Sequence, residues 1–202
     1  MFILTLATIL KKTMTEIRNE EERVEQEVEF ARFWSRAGAY ILDGIIVGAF
    51  TLMINAINIA NFKSFLIYLP IGIIAIFYKP FMESKYGATF GKMALKLKVT
   101  DQNLKQIDFK QSLLRSIILI FPAILFVPIY YFAFNNPNLA GATQLFEFAQ
   151  GLAIEYPIQS WISNLGFLII VIDLIVLLTD QTKTQRTLHD RIAKTFVIFD
   201  RK

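Results

Sequence analysis

The sequence predicts an all-α transmembrane bundle of four helices, both termini cytoplasmic, with a small cytoplasmic β-hairpin or sheet beside it. Three observations predict this. Apolar residues make up 54% of the 202-residue chain, above the roughly 45–50% usual in soluble domains. Four apolar runs are each long enough to cross a bilayer core, which takes about 20 helical residues. The basic residues lie almost entirely on one side of those runs.

The predicted helices cover about 37–60, 64–82, 116–134 and 161–179. A helix satisfies its own backbone groups, which an apolar solvent requires. Six of the 21 basic residues lie at or before Arg36, eight between Lys79 and Arg115, and six after Thr179. Lys63 alone lies between the first two runs, and none lies in the 135–160 loop. Basic residues favour the cytoplasmic side, so both termini and the middle loop are expected inside and 135–160 outside. Tyr130, Tyr131, Tyr156 and Trp161 flank that outer loop as an interfacial belt would. The basic charge therefore reads as topology and contact with the lipid bilayer, not nucleic acid.

Residues 1–31 read as an N-terminal cytoplasmic arm, and 32–202 as the transmembrane domain. "MFILTLATIL" is too short to span and lacks a basic segment ahead of it, so it makes a poor signal peptide. Met14 opens a natural cytoplasmic start, and residues 1–13 are expected to be an over-extension. Residues 15–30 are charge-dense, as in a solvated helix or a disordered arm.

In the middle loop, "GATFGKMALKLKV" alternates Leu95, Leu97 and Val99 against Lys96 and Lys98, a strand pattern. "TDQN" follows as a turn and "LKQIDF" as the return strand, with "KTFVIFD" as a third β-favouring run. An interfacial amphipathic helix is the competing reading of this loop.

The ionisable residues inside the runs are the candidate site. Asp43 is seven residues after Arg36, nearly two helical turns, so both share a face about 10 Å apart along the axis. Asp173 lies about 9 Å from the cytoplasmic end of the fourth run, and Arg115 enters the third on the same side. An acid at mid-bilayer costs about 2.5–3.5 kcal/mol, and such residues face the bundle interior and pair or line an ion path. Either Asp43 pairs with Arg36 or Arg115 and only fixes packing, or Asp43 and Asp173 lie at one level in a wet cavity and bind protons or cations. Gly44 and Gly48 form a Gly-x-x-x-Gly, which permits close helix approach.

Catalytic and metal chemistry is not expected. There is no Cys, and the single histidine is His189. "GATFGKM" has the wrong spacing for a phosphate loop, and Met93 stands where Ser or Thr is needed. No nucleophile accompanies His189 and Asp190, and "TLHDR" reads as a helix-start signal. No cofactor is implied.

Together, "RAGAYILDGII" (36–46), "GATFGKMALKLKV" (87–99), Arg115 and "RTLHDRIAKTFVI" (186–198) resemble the RDD family of bacterial membrane proteins. The resemblance runs from about Arg32 to the C-terminus. It implies that Arg36 and Asp43 are the family's arginine and first aspartate, and that Asp190 is the second. It matches Thr89, Gly91 and Lys92 to the family's loop motif. "IAKT" (192–195) departs from the pattern, which has a glycine before the threonine. The resemblance implies a multi-pass protein of the bacterial cytoplasmic membrane, and a transporter, with exchange of a monovalent cation for protons as one expectation. Four helices make a thin wall, so transport implies a homo-oligomer. The alternative is a non-transporting scaffold or assembly factor with a cytoplasmic partner.

Overall fold

The computed structural model describes residues 13–16, 18 and 28–200. The expected over-extension falls, apart from Thr13, outside the described residues. Of the N-terminal arm, residues 13–16 and 18 are helical.

Helix α1 runs over Phe33–Ile57 and continues into a π-helical turn, Asn58–Phe62. Lys63, in the left-handed region at φ 47°, ends it. Helix α2, Phe65–Tyr86, stops at Gly87, whose φ of 76° suits glycine. Short helix α3 covers Phe90–Ala94 and strand β1 Leu97–Asp101. Helix α4, Phe109–Phe134, starts at an Asp108/Gln111 capping box. A 3-10 turn at Pro137–Leu139 leads to α5, Leu145–Glu155, and α6, Ile158–Thr179. Helix α7 covers Leu188–Ala193 and strand β2 Thr195–Phe199. Among the described residues, α1 with its π turn, α2, α4 and α6 are long and apolar enough to cross a membrane.

The expected four spans are present, with different ends. Helix α1 begins at Phe33 rather than 37, and α4 at Phe109 rather than 116. Arg36 at the end of the first turn of α1, and the polar residues from Lys110 to Arg115 in α4, hid the two starts. The expected outer loop contains α5, whose Phe148 and Leu152 are buried with Ile59, Ile129 and Ile162 in one apolar core.

The small sheet is real, but its pairing is not the expected hairpin. β1 pairs antiparallel with β2, with Val99 opposite Val197. "LKQIDF" contributes only the bridge Gln106–Thr100. The Asp101 carboxylate accepts from the Asn103 and Lys105 N–H groups, which turns the chain too tightly to continue as a strand. Leu95 lies before the strand, and Lys96 takes a left-handed turn at φ 54°. On the other edge of β2, Ala31 N–H donates to the Val197 carbonyl and Phe199 N–H to the Glu29 carbonyl. The C-terminal strand is thus central, and the segment entering α1 is tied to it. Leu97, Val99, Ile107, Val197, Ala31 and Ala39 form a second core here.

Helix α2 packs most extensively against α4, and α4 also packs against α6 and α7. Helix α1 is held differently: it touches α3 more than α2. A Cβ on Gly44 or Gly48 would meet nothing within 4 Å. Among the described residues, the Gly-x-x-x-Gly is therefore not a helix contact.

Candidate functional site

The site lies at the sheet end of the bundle and has two parts. The first is Asp43. Its Oδ1 accepts from the Tyr78 hydroxyl at 2.9 Å and the Gly91 N–H at 2.8 Å. Its Oδ2 accepts from the Thr89 hydroxyl at 2.6 Å. Tyr78 in turn accepts the Phe90 N–H at 2.9 Å. Thr89 occupies the N-cap position of α3, yet its side chain makes no cap bond there, because the hydroxyl reaches Asp43 instead. A Cβ on Gly91 would sit 2.2 Å from the Ala39 carbonyl oxygen and 2.9 Å from Asp43 Cγ. Only glycine lets α3 approach α1 this closely. A polar segment is thus packed beside α1 at the level of Asp43, and the carboxylate meets protein donors rather than acyl chains.

The second part is a chain of buried ion pairs. Arg36 Nη1 donates to Asp190 Oδ2 at 2.6 Å. Arg115 Nη1 donates to Asp190 Oδ1 and to the Thr195 hydroxyl, and its Nε to Glu83 Oε2 at 2.9 Å. Lys92 donates to the other Glu83 oxygen. Glu83 and Asp190 are fully buried, and Arg115 is 1% exposed. The forked guanidinium of Arg115 bridges three elements, which an ammonium could not do with fixed geometry. From Arg36 to Lys92 the pairs connect α1, α7, α4, α2 and α3. Helix α6 joins through Asp173, which accepts from His189 Nδ1 at 2.9 Å and from the His189 N–H at 3.2 Å.

Asp190 has a further task. Thr187 accepts the Asp190 N–H and Asp190 accepts the Thr187 N–H, a capping box that starts α7. Burial alone would raise its pKa, but the Arg115 and Arg36 guanidiniums outweigh it and hold the carboxyl well below the usual carboxylate range. Burial lowers His189, and Lys79 lowers it further, against the opposing pull of Asp190 and Asp173. Burial likewise pushes Lys92 down to about 8 despite its Glu83 partner. Lys194 follows α7 at φ 54°, so the position where the pattern has glycine is indeed left-handed.

These contacts correct the sequence expectations. Asp43 pairs with neither Arg36 nor Arg115; its donors are neutral, and both arginines go to Asp190. Asp43 and Asp173 do not share a site, because each has its own partners. Arg36, Asp190 and Arg115 do come together, as do Thr89 and Gly91 with Asp43, while Lys92 belongs to the ion-pair chain. Glu83 and Tyr78 were missed. Glu83 carried a signal: it lies in the last turn of a helix, where the macrodipole disfavours a carboxylate, so it needed cations. Tyr78 carried none that separates it from the other aromatics of its run.

The four membrane-capable helices and this polar closure define a multi-pass membrane protein. The RDD family model matches residues 30–194, most of the chain, and the protein belongs to the RDD family. No curated protein and no solved structure matches it.

Proposed function

We propose that the chain is a membrane-embedded scaffold whose buried charges hold its sheet end as one rigid unit for a partner protein. The observation that carries this reading is the closure of Asp43: both oxygens take donors from the same chain, and two of the three come from the segment that holds α1. The ion-pair chain extends the same clasp to every membrane-capable helix. Most basic residues lie on that side, so it faces the cytoplasm of a bacterial cell with both termini. The partner docks on α3, α7 and the sheet, and no catalytic role is assigned.

One observation favours the alternative, exchange of a monovalent cation for protons by a homo-oligomer. Among the described residues, Lys79 has no hydrogen bond or ion pair, and it stands near the His189–Asp173 pair, a titratable group inside the protein. Buried ionisable groups of this kind mark ion paths in other membrane proteins.

Reconstituted liposomes with an imposed pH gradient separate the two. On the scaffold reading, purified wild-type protein gives no coupled sodium or potassium flux, and Asp43→Asn lowers thermal stability. Flux that is present in the wild type and abolished by Asp43→Asn overturns the scaffold in favour of transport.

A further inference from the structure

At the end of the bundle away from the sheet, a cavity of about 380 Å³ opens between the turn joining α1 to α2 and the end of α4. Ligand sites fall in the range of about 300–1,000 Å³. It is lined by Phe62, Lys63, Ser64, Phe65, Tyr131 and Phe134. Its position is fixed by packing rather than by an occupant. The fully buried Asn58 side chain bonds both the Ser64 N–H and the Ser64 carbonyl at 2.9 Å, clamping the turn. Phe65 meets Tyr131 edge-on at 5.2 Å, closing the aromatic wall.

The one charged residue in the lining, Lys63, is cationic, and Ser64, Tyr131 and Asn135 beside it are neutral. Lys63 is the single basic residue between the first two spans, and none occurs in the segment that follows α4 up to residue 160. Among the described residues its ammonium has no acidic partner and no hydrogen bond. Beside it α2 begins at Ser64, whose side chain makes no cap bond. The first N–H groups of α2 offer donors there, while the π turn and α4 end on the same cavity and offset their potential, so the charge an anion meets is that of Lys63 itself.

The surroundings select the source of the anion. The cavity lies where membrane-capable helices end, the depth of lipid headgroups. Phe62 and Leu66, which also line it, are 63% and 81% exposed and offer apolar surface to the chains below a headgroup. Aromatic residues with a cation at this depth suit an amphiphile better than a free ion.

We infer that this cavity binds the headgroup of a net-anionic phospholipid, a phosphodiester with no ammonium of its own, with Lys63 as its counter-charge. The test uses the full chain in a neutral detergent, with thermal unfolding followed during titration. The probes are short-chain phosphatidylglycerol, short-chain phosphatidylcholine and inorganic phosphate. Phosphatidylglycerol is expected to raise the melting temperature saturably, and the other two to leave it unchanged at the same concentrations. Lys63→Gln is expected to move the phosphatidylglycerol midpoint up about tenfold or more, the loss of one charge-assisted contact. Lys63→Arg is expected to keep it. Lys63→Gly relieves the left-handed backbone, so it keeps the fold and is expected to lose the lipid in the same way. A midpoint unchanged in Lys63→Gln or Lys63→Gly overturns the assignment, as does equal stabilisation by phosphatidylcholine. Stabilisation by inorganic phosphate alone overturns the lipid and points to a soluble oxyanion.

Discussion

Gly91→Ala separates the packing account from helix propensity, because the two predict opposite signs. Alanine is better than glycine inside a helix by about 1 kcal/mol, so propensity alone predicts a gain. The structure predicts a loss. The new Cβ would lie 2.2 Å from the Ala39 carbonyl oxygen, more than about 1 Å short of van der Waals contact. Ala39 is a buried backbone position in α1 and has nowhere to go, so α3 must retreat. The Gly91 N–H and Thr89 hydroxyl bonds to Asp43, now 2.8 and 2.6 Å, then stretch beyond hydrogen-bonding distance. Hydrogen bonds to carboxylates are worth about 1.5–3 kcal/mol each. Two of them less the propensity gain leave a net loss of about 2–5 kcal/mol, on the order of 10 °C in Tm for a chain of this size. The assay is thermal unfolding of purified protein in detergent, with Gly44→Ala and Gly48→Ala alongside. Those two face open space and are expected to match or slightly exceed wild type. A Gly91→Ala protein as stable as wild type refutes the clasp.

Three further outcomes follow from the ion-pair chain. Asp190→Asn keeps a capping side chain but strands Arg36 and Arg115 without their shared counter-ion, and removing one partner of a buried pair costs about 3–5 kcal/mol; chemical or thermal unfolding in detergent checks it. Lys194→Gly removes a left-handed lysine and is expected to raise stability by up to about 1 kcal/mol, measured the same way. His189 is held below its ordinary value of about 6.5, so the unfolded chain binds more protons there as pH falls through that value. Stability is therefore lost as pH falls below about 6.5, and unfolding midpoints of His189→Gln between pH 5 and 7 are expected to show a shallower slope.

The bundle was legible because length and charge asymmetry are properties of the chain alone. Asp43 and Arg36 were found for the same reason: an ion in an apolar run stands out. Their partners were not legible. Helical spacing put Arg36 and Asp43 on one face, yet spacing cannot report that α3 wedges against α1 with a glycine and brings Thr89 to the carboxylate. Asp190 takes its two arginines from α1 and α4, which only the tertiary fold unites. The strand partner was misjudged because "LKQIDF" follows the turn directly while "KTFVIFD" lies far along the chain, and what decides between them is the Asp101 turn and the Asp108 cap. Lys194 shows the converse: its backbone is left-handed, a conformation that favours glycine, yet the chain carries lysine there.

The central claim is that Asp43 fastens α1 to the rest of the bundle. The chain has no cysteine, so spin labels can be placed cleanly at exposed positions: Ile45 on α1, Ile74 on α2 and Ile124 on α4. The direct measurement is the distance distribution between label pairs in nanodiscs, with Asp43 intact and as Asp43→Ala. The clasp predicts that the Ile45–Ile124 distribution broadens and shifts in Asp43→Ala while Ile74–Ile124 stays unchanged. An Ile45–Ile124 distribution identical in the two proteins would contradict it.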